Sequence, residues 1–193
     1  RMHSAREGVE LLGRIVEEIG AGEGFGVAFV DEHELWYFET GTGHQWLAQR
    51  IPADVYFSTG NQGRLQKYVK GNSDYLASPN LIEFATEHGF YDPKKDGEFN
   101  FSKAYCRDDS RDRVYNDPRV CEIQAQFNPS TKQIMFNGRD FPVFMKPEQK
   151  LSVADLKAMM RNHYEGKDFD PYTNGLKGDS KIRPISVFRT YES

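Results

Sequence analysis

Hydrophobic residues recur at helical spacing at the start of the chain and then give way to aromatic, strand-like runs. Positions 9, 12, 15, 16 and 19 are apolar, which places them on one face of a helix. Ser4 and Glu7 form the pattern of a capping box before this stripe, and Gly20 follows its last residue. The sequence therefore predicts an amphipathic helix from Ala5 to Ile19.

Two strand-like runs follow at residues 25–30 and 35–40, and both are rich in aromatic and β-branched residues. Because the polar residues 31–34 separate them, the sequence predicts a β-hairpin. A third strand is predicted at residues 55–59, where it runs into the polar turn Gly60-Asn61-Gln62-Gly63. Polar turns at strand ends commonly carry functional side chains.

Three further helices are predicted from apolar stripes that follow a capping residue. Ser78-Pro79 and Asp117-Pro118 each place a capping side chain before a proline at the first helical position, and Ser152 opens the last helix. Residues 90–116 show no helical pattern, so we expect either a solvated surface excursion or an arm that covers a site. No repeat or linker is visible, and the sequence predicts one domain over residues 1–193 that ends in an extended run at 185–191, as in the central part of a larger fold.

Composition excludes several classes of protein. The chain has 25 Lys and Arg against 29 Asp and Glu, and opposite charges are interspersed, so it lacks the basic surface of a nucleic-acid-binding protein. No apolar run approaches the roughly 20 residues of a membrane span, and no signal sequence opens the chain. We expect a cytoplasmic protein without nucleic-acid or membrane partners, and the 13% aromatic share indicates that it folds.

Cysteine and metal patterns give little chemistry. Cys106 and Cys121 are expected to be thiols, because disulfides are rare in cytosolic proteins. Arg107 lies beside Cys106, so a reactive thiol there is conceivable, although a structural role is the favoured interpretation. The five histidines are scattered without a ligand pair, and we predict neither a metal nor a cofactor.

Residues 36–46 join an aromatic strand to a glycine-containing loop that carries His44 and Trp46. This stretch resembles the signature of the PepD-type cysteine dipeptidases, which belong to the Ntn-hydrolase superfamily. Further stretches resemble the same family in the same order along the chain: residues 5–7, 49–52, 61–65, 78–81, 97–101, 113–119, 170–175 and 183–189. The resemblance therefore extends over nearly the whole chain.

The resemblance implies an α+β fold, the αββα sandwich, in which two mostly antiparallel sheets face each other between helical layers. It also implies hydrolysis of dipeptides without a metal or cofactor. In this family the nucleophile is the first residue of the mature protein, a cysteine whose own α-amino group is the base. Because this chain begins with Arg1, we expect an incomplete sandwich without the nucleophile strand, inactive alone and prone to form a homo-oligomer through exposed strand edges.

Two residues are expected to be catalytic. In the wider Ntn amidase group, which includes bile salt hydrolases and penicillin V acylases, an asparagine after a strand stabilises the oxyanion, and Asn61 is similarly placed. The alternative is a turn asparagine with left-handed backbone. The same group uses a late arginine near the nucleophile, and Arg189 resembles it. Arg189 would lower the pKa of the thiol or bind a substrate carboxylate, and its alternative is a strand arginine paired with a carboxylate.

Four residues are expected to contact the substrate, each with a structural alternative. His44 would contact the dipeptide or fix its own loop, since the terminal amine already serves as the base. Trp46 would line the pocket or pack in the core. Tyr172 and Asn174 would cover the substrate or form an ordinary turn.

A non-enzymatic alternative stays open at this point. A relative of the dipeptidase fold without the nucleophile would bind peptides or other chains through residues 43–46 and the long excursion before residue 116.

Overall fold

A computed structural model describes residues 2–107, 109, 112–131 and 138–166 of the chain. They form a mixed α+β structure with antiparallel sheets, and the chain divides into two compact units. The first unit comprises Arg1–Val55 and Gly63–Arg107, and the second comprises Tyr56–Gln62 and Asp108–Ser193. The expectation of one domain stays a prediction.

Each unit contains its own helices and strands. The first unit contains α1 (Ala5–Ile19), β1 (Gly26–Val30), β2 (Leu35–Thr40), β3 (Trp46–Arg50), β5 (Tyr75–Ala77), α2 (Leu81–Glu87) and α3 (Phe101–Tyr105). The second unit contains β4 (Tyr56–Phe57), α4 (Asp112–Tyr115), α5 (Asp117–Phe127), a 3-10 helix (Gly138–Asp140), β6 (Phe144–Met145) and α6 (Val153–Met160).

The predicted first helix is confirmed with the same ends. The Ser4 hydroxyl accepts a hydrogen bond from the Glu7 N–H at 3.1 Å, whereas the Glu7 carboxylate accepts from the His3 N–H at 2.7 Å. The capping box therefore forms with its second bond shifted by one residue. Gly20, at φ +84°, ends the helix and donates its N–H to the Val16 carbonyl at 2.8 Å.

The predicted hairpin is also confirmed, and it belongs to a four-stranded antiparallel sheet in the order β1-β2-β3-β5. One face of α1 packs on this sheet, and the buried apolar residues between them are Ala5, Val9, Val16, Trp36, Phe38, Trp46 and Ala48. The sequence did not predict β3 or β5. The three buried residues at the start of β3 show no alternation, and β5 has only three residues, so neither carries a recognisable strand pattern.

The predicted third strand is shorter than expected and belongs to a second sheet. Only Tyr56 and Phe57 form β4, which pairs with β6 in a two-stranded antiparallel sheet. Tyr56 also packs edge-on against Phe127 of α5, with ring centroids 5.2 Å apart. Phe127, Met159 and Tyr164 form the buried cluster at this place in the second unit.

Three sequence-based expectations need correction. Residues 90–116 contain α3 and α4, which were missed because they have only five and four residues. The helix expected after Ser78 begins at Leu81 with Asn80 at its N-cap, because the Ser78 hydroxyl instead donates to Gln45 Oε1 at 2.7 Å. In α5 the N-cap is Asn116 rather than Asp117. The extended run at residues 185–191 lies outside the described residues.

Membrane-spanning helices, clusters of metal ligands and disulfides are all absent from the described residues. No helix in the described ranges is long and apolar enough to cross a membrane. The described His, Cys, Asp and Glu side chains form no group of three or more that could hold a metal ion. Both cysteines are described, and neither is part of a disulfide.

Candidate functional site

Asn61 lies in the turn that follows β4, and the neighbouring start of α5 holds its backbone. The Asn61 N–H donates to Asn116 Oδ1 at 2.6 Å, and Asn116 Nδ2 donates to the Asn61 carbonyl at 3.3 Å. A Cβ on Gly60 would lie 2.6 Å from that same Asn116 Oδ1, so glycine is needed for this close approach. We call Gly60, Asn61 and Gln62, together with Asp112, Tyr115, Asn116 and Arg119, the Asn61 corner.

The guanidinium of Arg119 fixes the side chain of Asn61. Arg119 Nη1 donates to Asn61 Oδ1 at 2.8 Å, and Nη2 donates to Asn116 Oδ1 at 3.2 Å. Its Nε donates to the Tyr115 carbonyl at 2.8 Å, and the guanidinium carbon lies 4.4 Å from the centroid of the Tyr115 ring. Because a guanidinium has donors only, the Asn61 atom facing it must be the oxygen. The amide nitrogen of Asn61 therefore points away from Arg119.

This orientation leaves a hydrogen-bond donor available on an exposed residue. Asn61 is exposed, whereas Asn116 and Arg119 are 2% and 3% exposed. Within the described ranges, no protein group accepts a hydrogen bond from Asn61 Nδ2. An N–H donor whose side chain is fixed by another hydrogen bond, and which has no protein acceptor of its own, can bind an oxygen that gains negative charge.

The backbone of Asn61 also rules out one alternative from the sequence. Outside glycine, Tyr164 is the only residue with positive φ in the described part of the chain. Asn61 is therefore not a turn asparagine in left-handed conformation. The turn is closed instead by the Thr59 hydroxyl, which lies 3.0 Å from the Gly60 carbonyl and 3.1 Å from the Gln62 carbonyl.

Gln62 adds an unsatisfied acceptor to the Asn61 corner. Its Nε2 donates to Asp117 Oδ1 at 3.3 Å, whereas its Oε1 is buried and no described group donates to it. A buried amide oxygen without a donor costs free energy, so Gln62 is a local source of instability in the Asn61 corner.

The two aromatic residues predicted to contact substrate are bonded to α1. His44 Nδ1 lies 2.8 Å from the Glu17 carbonyl and 3.2 Å from the Val16 carbonyl, and it must carry hydrogen because both partners are acceptors. Trp46 is 5% exposed, and its Nε1 donates to Glu17 Oε1 at 2.9 Å. These contacts support the structural alternative for both residues, and their contact with substrate stays a prediction.

Glu39 is a buried acid that the sequence analysis missed. Its carboxylate oxygens accept hydrogen bonds from the N–H of Arg64 at 2.8 and 3.0 Å and from the N–H of Leu65 at 2.8 Å. Burial nevertheless raises the pKa of Glu39 to about 7, because loss of hydration outweighs these bonds and the charge of Arg64. The available signal was a single acid directly after the aromatic run of β2, residues 36–38.

The two thiols are packed against other groups of the protein. The Sγ of Cys106 contacts Gly63 so closely that a Cβ there would overlap it, and Glu39 Oε2 would lie 3.6 Å from the same Cβ. Cys121 is 7% exposed and packs with Val120 and Phe141.

The structure describes three of the predicted site residues, His44 and Trp46 in the first unit and Asn61 in the second. Arg189, Tyr172 and Asn174 lie outside the described residues. Asn116 and Arg119 were missed, although residues 113–119 were among the stretches that resembled the dipeptidase family. The pair Asp117-Pro118 predicts only a helix start, and it does not indicate the contacts of Asn116 and Arg119 with Asn61.

Several curated proteins resemble this chain over nearly all of its length. A protein named "Probable dipeptidase" from Salmonella dublin is 54% identical over 191 residues, which are 98% of this chain and 44% of that protein. A "Probable dipeptidase" from Latilactobacillus sakei is 38% identical over 194 residues, covering 100% of this chain and 40% of the relative. The "Dipeptidase" of Bifidobacterium longum (strain NCC 2705) is 34% identical over 202 residues, with 97% and 37% covered.

This chain thus spans less than half the length of these relatives. Its family is nevertheless defined, because the model of peptidase family C69 matches residues 1–193. The chain belongs to peptidase family C69.

Proposed function

We propose that this protein hydrolyses dipeptides with a cysteine nucleophile and that Asn61 stabilises the oxyanion formed during the reaction. The observation that carries the proposal is the fixed amide of Asn61, whose oxygen is bonded to Arg119 and whose donor faces outward. Membership of a peptidase family and the names of the relatives support the dipeptide substrate.

The chemistry explains why an amide donor is needed. When a thiolate attacks the carbonyl carbon of a peptide bond, the carbonyl oxygen becomes an oxyanion in a tetrahedral intermediate. A donor already aimed at that oxygen stabilises the transition state, and removal of one such donor costs about 10²–10³-fold in kcat in comparable acyl-transfer enzymes. Asn61 Nδ2 is such a donor, because Arg119 holds the other end of the amide.

The nucleophile in this proposal is the N-terminal cysteine of the mature protein, with its own α-amino group as the base. In this proposal Cys106 and Cys121 are structural residues, the first packed against Gly63 and the second against Val120 and Phe141. Dipeptide hydrolysis would therefore depend on that N-terminal cysteine, and the described elements would belong to a single-domain αββα sandwich.

The remaining parts of the proposal concern recognition and assembly. Arg189 would lower the pKa of the nucleophile or hold the carboxylate of the substrate. Tyr172 and Asn174 would line or cover the substrate, whereas His44 and Trp46 would support their own loop through their bonds to Glu17. The protein would act in the cytoplasm, without a metal or cofactor, as a homo-oligomer.

The test is hydrolysis of a dipeptide panel by the full-length protein, measured by release of free amino acids. We expect hydrolysis that alkylation of thiols abolishes. We expect Asn61→Ala to lower kcat by about 100-fold or more while KM changes little, because the donor acts in the transition state.

A matched control is Asn72→Ala. Asn72 is also an exposed turn asparagine, and its Oδ1 accepts from the Asp74 N–H at 2.8 Å. This variant should retain wild-type kcat. Unchanged kcat in Asn61→Ala would remove the oxyanion role, and peptide binding without cleavage by the wild-type protein would favour the non-enzymatic alternative.

A further inference from the structure

The Asn61 corner contains a buried cation, Arg119, whose side-chain donors bind two amide oxygens and one backbone carbonyl. Arg119 is 3% exposed, and its guanidinium donates three hydrogen bonds, to Asn61 Oδ1, Asn116 Oδ1 and the Tyr115 carbonyl. Burial of a charge costs free energy unless its donors are hydrogen-bonded, so the bonds of Arg119 are what allow it to be buried here. In this structure its two terminal nitrogens bind the two amide oxygens that determine where Asn61 points.

We propose that Arg119 is a positioning residue that locks the orientation of the Asn61 amide and so presents Asn61 Nδ2 to the oxyanion. The inference rests on the proposed function, because it assigns Arg119 a role through Asn61 rather than a contact with substrate. It concerns a residue 58 positions away from Asn61 in the sequence.

The lock works because a side-chain amide has two orientations of nearly equal shape. A rotation of 180° would place Asn61 Nδ2 against Arg119 Nη1, where two donors face each other. It would also turn the amide oxygen outward, where it would repel an oxyanion. Since the guanidinium cannot accept a hydrogen bond, only the orientation with Nδ2 outward satisfies Arg119.

Arg119 also strengthens the donor that it positions. A cation bonded to the oxygen of an amide draws electron density from the nitrogen, which makes its N–H a better donor. A neutral donor in place of Arg119 would keep part of the orientation and lose part of this polarisation.

The other members of the Asn61 corner hold Arg119 and Asn116 in turn. The Tyr115 ring lies under the guanidinium at 4.4 Å. Asn116 Nδ2 donates to Asp112 Oδ1 at 2.5 Å as well as to the Asn61 carbonyl. Four residues of one short stretch, 112–119, therefore converge on a single amide.

The experiment is a double-mutant cycle between Asn61 and Arg119 in the full-length protein, with dipeptide hydrolysis as the assay. Arg119→Met removes every donor and keeps a long apolar side chain. We expect it to lower kcat by about tenfold with little change in KM, because the ground-state substrate does not need the oriented donor. Arg119→Lys, which keeps one donor and the charge, should recover part of that loss.

The decisive measurement is the same substitution in the Asn61→Ala background. There, Arg119→Met should produce no further loss of kcat, because the group that Arg119 positions is already gone. A merely structural role would give the same loss in both backgrounds, and that result would overturn the inference. Wild-type kcat in a folded Arg119→Met variant would overturn it as well.

A second variant covers the case in which Arg119→Met does not fold. Tyr115→Leu removes the half-buried ring beneath the guanidinium and leaves the hydrogen bonds of Arg119 in place. We expect about a threefold loss of kcat that disappears in the Asn61→Ala background, and an unchanged kcat would overturn the inference.

The cycle separates this inference from the proposed function. If Asn61→Ala keeps wild-type kcat, the oxyanion role fails, and the positioning role fails with it. If Asn61→Ala loses activity while the variants at Arg119 and Tyr115 do not, the oxyanion role stands and only the positioning role is lost.

Discussion

The loop that leads from His44 to Trp46 differs from the Asn61 corner in where its hydrogen-bond donors point. His44, Trp46 and Asn61 were all predicted from sequence to belong to one site, and each lies in or beside a glycine-containing polar turn next to a strand. In the loop, His44 Nδ1 and Trp46 Nε1 donate to groups of Glu17 in α1. In the Asn61 corner, the acceptor Asn61 Oδ1 is bonded to Arg119, and no described protein group accepts a hydrogen bond from the donor Asn61 Nδ2.

This difference separates a supporting role from a chemical one. A donor that is bonded to a helix holds the fold together and has nothing left for a ligand. A donor without a protein acceptor, on a side chain that another hydrogen bond holds in place, remains free to bind a ligand. We therefore expect changes near His44 and Trp46 to alter the free energy of unfolding, and changes in the Asn61 corner to alter kcat.

The largest expected effect in the first unit belongs to Glu39. Its pKa is about 7 in the folded protein against an ordinary value of 4.5. Below pH 4.5 the carboxyl group is protonated in both states, and its full contribution to stability is present. As pH rises through 7, the unfolded state has already released its proton, so roughly 3 kcal/mol of stability is lost.

Glu39→Gln tests this, since glutamine does not titrate. Chemical denaturation of both proteins between pH 4.5 and 8 should show the wild type losing stability relative to the variant as pH increases. Glu32→Gln is the control, because the Glu32 side chain is 85% exposed, and it should change stability by less than about 0.5 kcal/mol throughout. Parallel curves for wild type and Glu39→Gln would show that the buried acid does not titrate in this range.

The next effect comes from Gly13, which lets the Trp46 indole approach α1. A Cβ at this position would lie 2.6 and 2.8 Å from Cε2 and Cη2 of Trp46. Alanine normally stabilises a helix by about 1 kcal/mol relative to glycine, but here overpacking should destabilise the fold by about 1–3 kcal/mol.

The measurement for Gly13→Ala is the denaturant midpoint compared with that of Gly22→Ala, where a Cβ would meet no atom within 4 Å. The control should stay close to wild type. A more stable Gly13→Ala variant would mean that Trp46 can move aside, and the loop would then be less rigid than the comparison requires.

The smallest expected effect is that of His44→Ala. Loss of the bond to the Glu17 carbonyl should lower the free energy of unfolding by about 1 kcal/mol, because a net hydrogen bond contributes that much. KM for dipeptides should remain at the wild-type value. A large rise in KM with unchanged stability would instead establish the substrate contact predicted from sequence.

Local patterns predicted much of the first unit. The stripe from position 9 to 19 gave α1 with both ends, and the aromatic runs gave the hairpin of β1 and β2. Helix starts were less certain, because Ser78 and Asp117 resemble N-caps while Asn80 and Asn116 occupy those positions. Tertiary hydrogen bonds, such as that of Ser78 to Gln45, decide between such neighbours, and no local pattern contains them.

The candidate site was predictable only where a side chain lies next to a chain signal. Asn61 follows a strand and a glycine, so its position was visible. Arg119 and Glu39 act through backbone and amide groups 58 and 25 residues away, and no spacing rule connects such pairs. Their roles depend on which atoms the folded chain brings together.

Arg119 lies in the first turn of α5, and Asn116, the N-cap of this helix, makes no side-chain capping bond. Helix ends open more readily than helix centres, so this turn can unwind while the rest of α5 remains folded. Unwinding would release both groups that grip Asn61. Under the proposed function, heating would then abolish dipeptide hydrolysis before it unfolds the protein, and a single helical turn would set the upper temperature limit of activity.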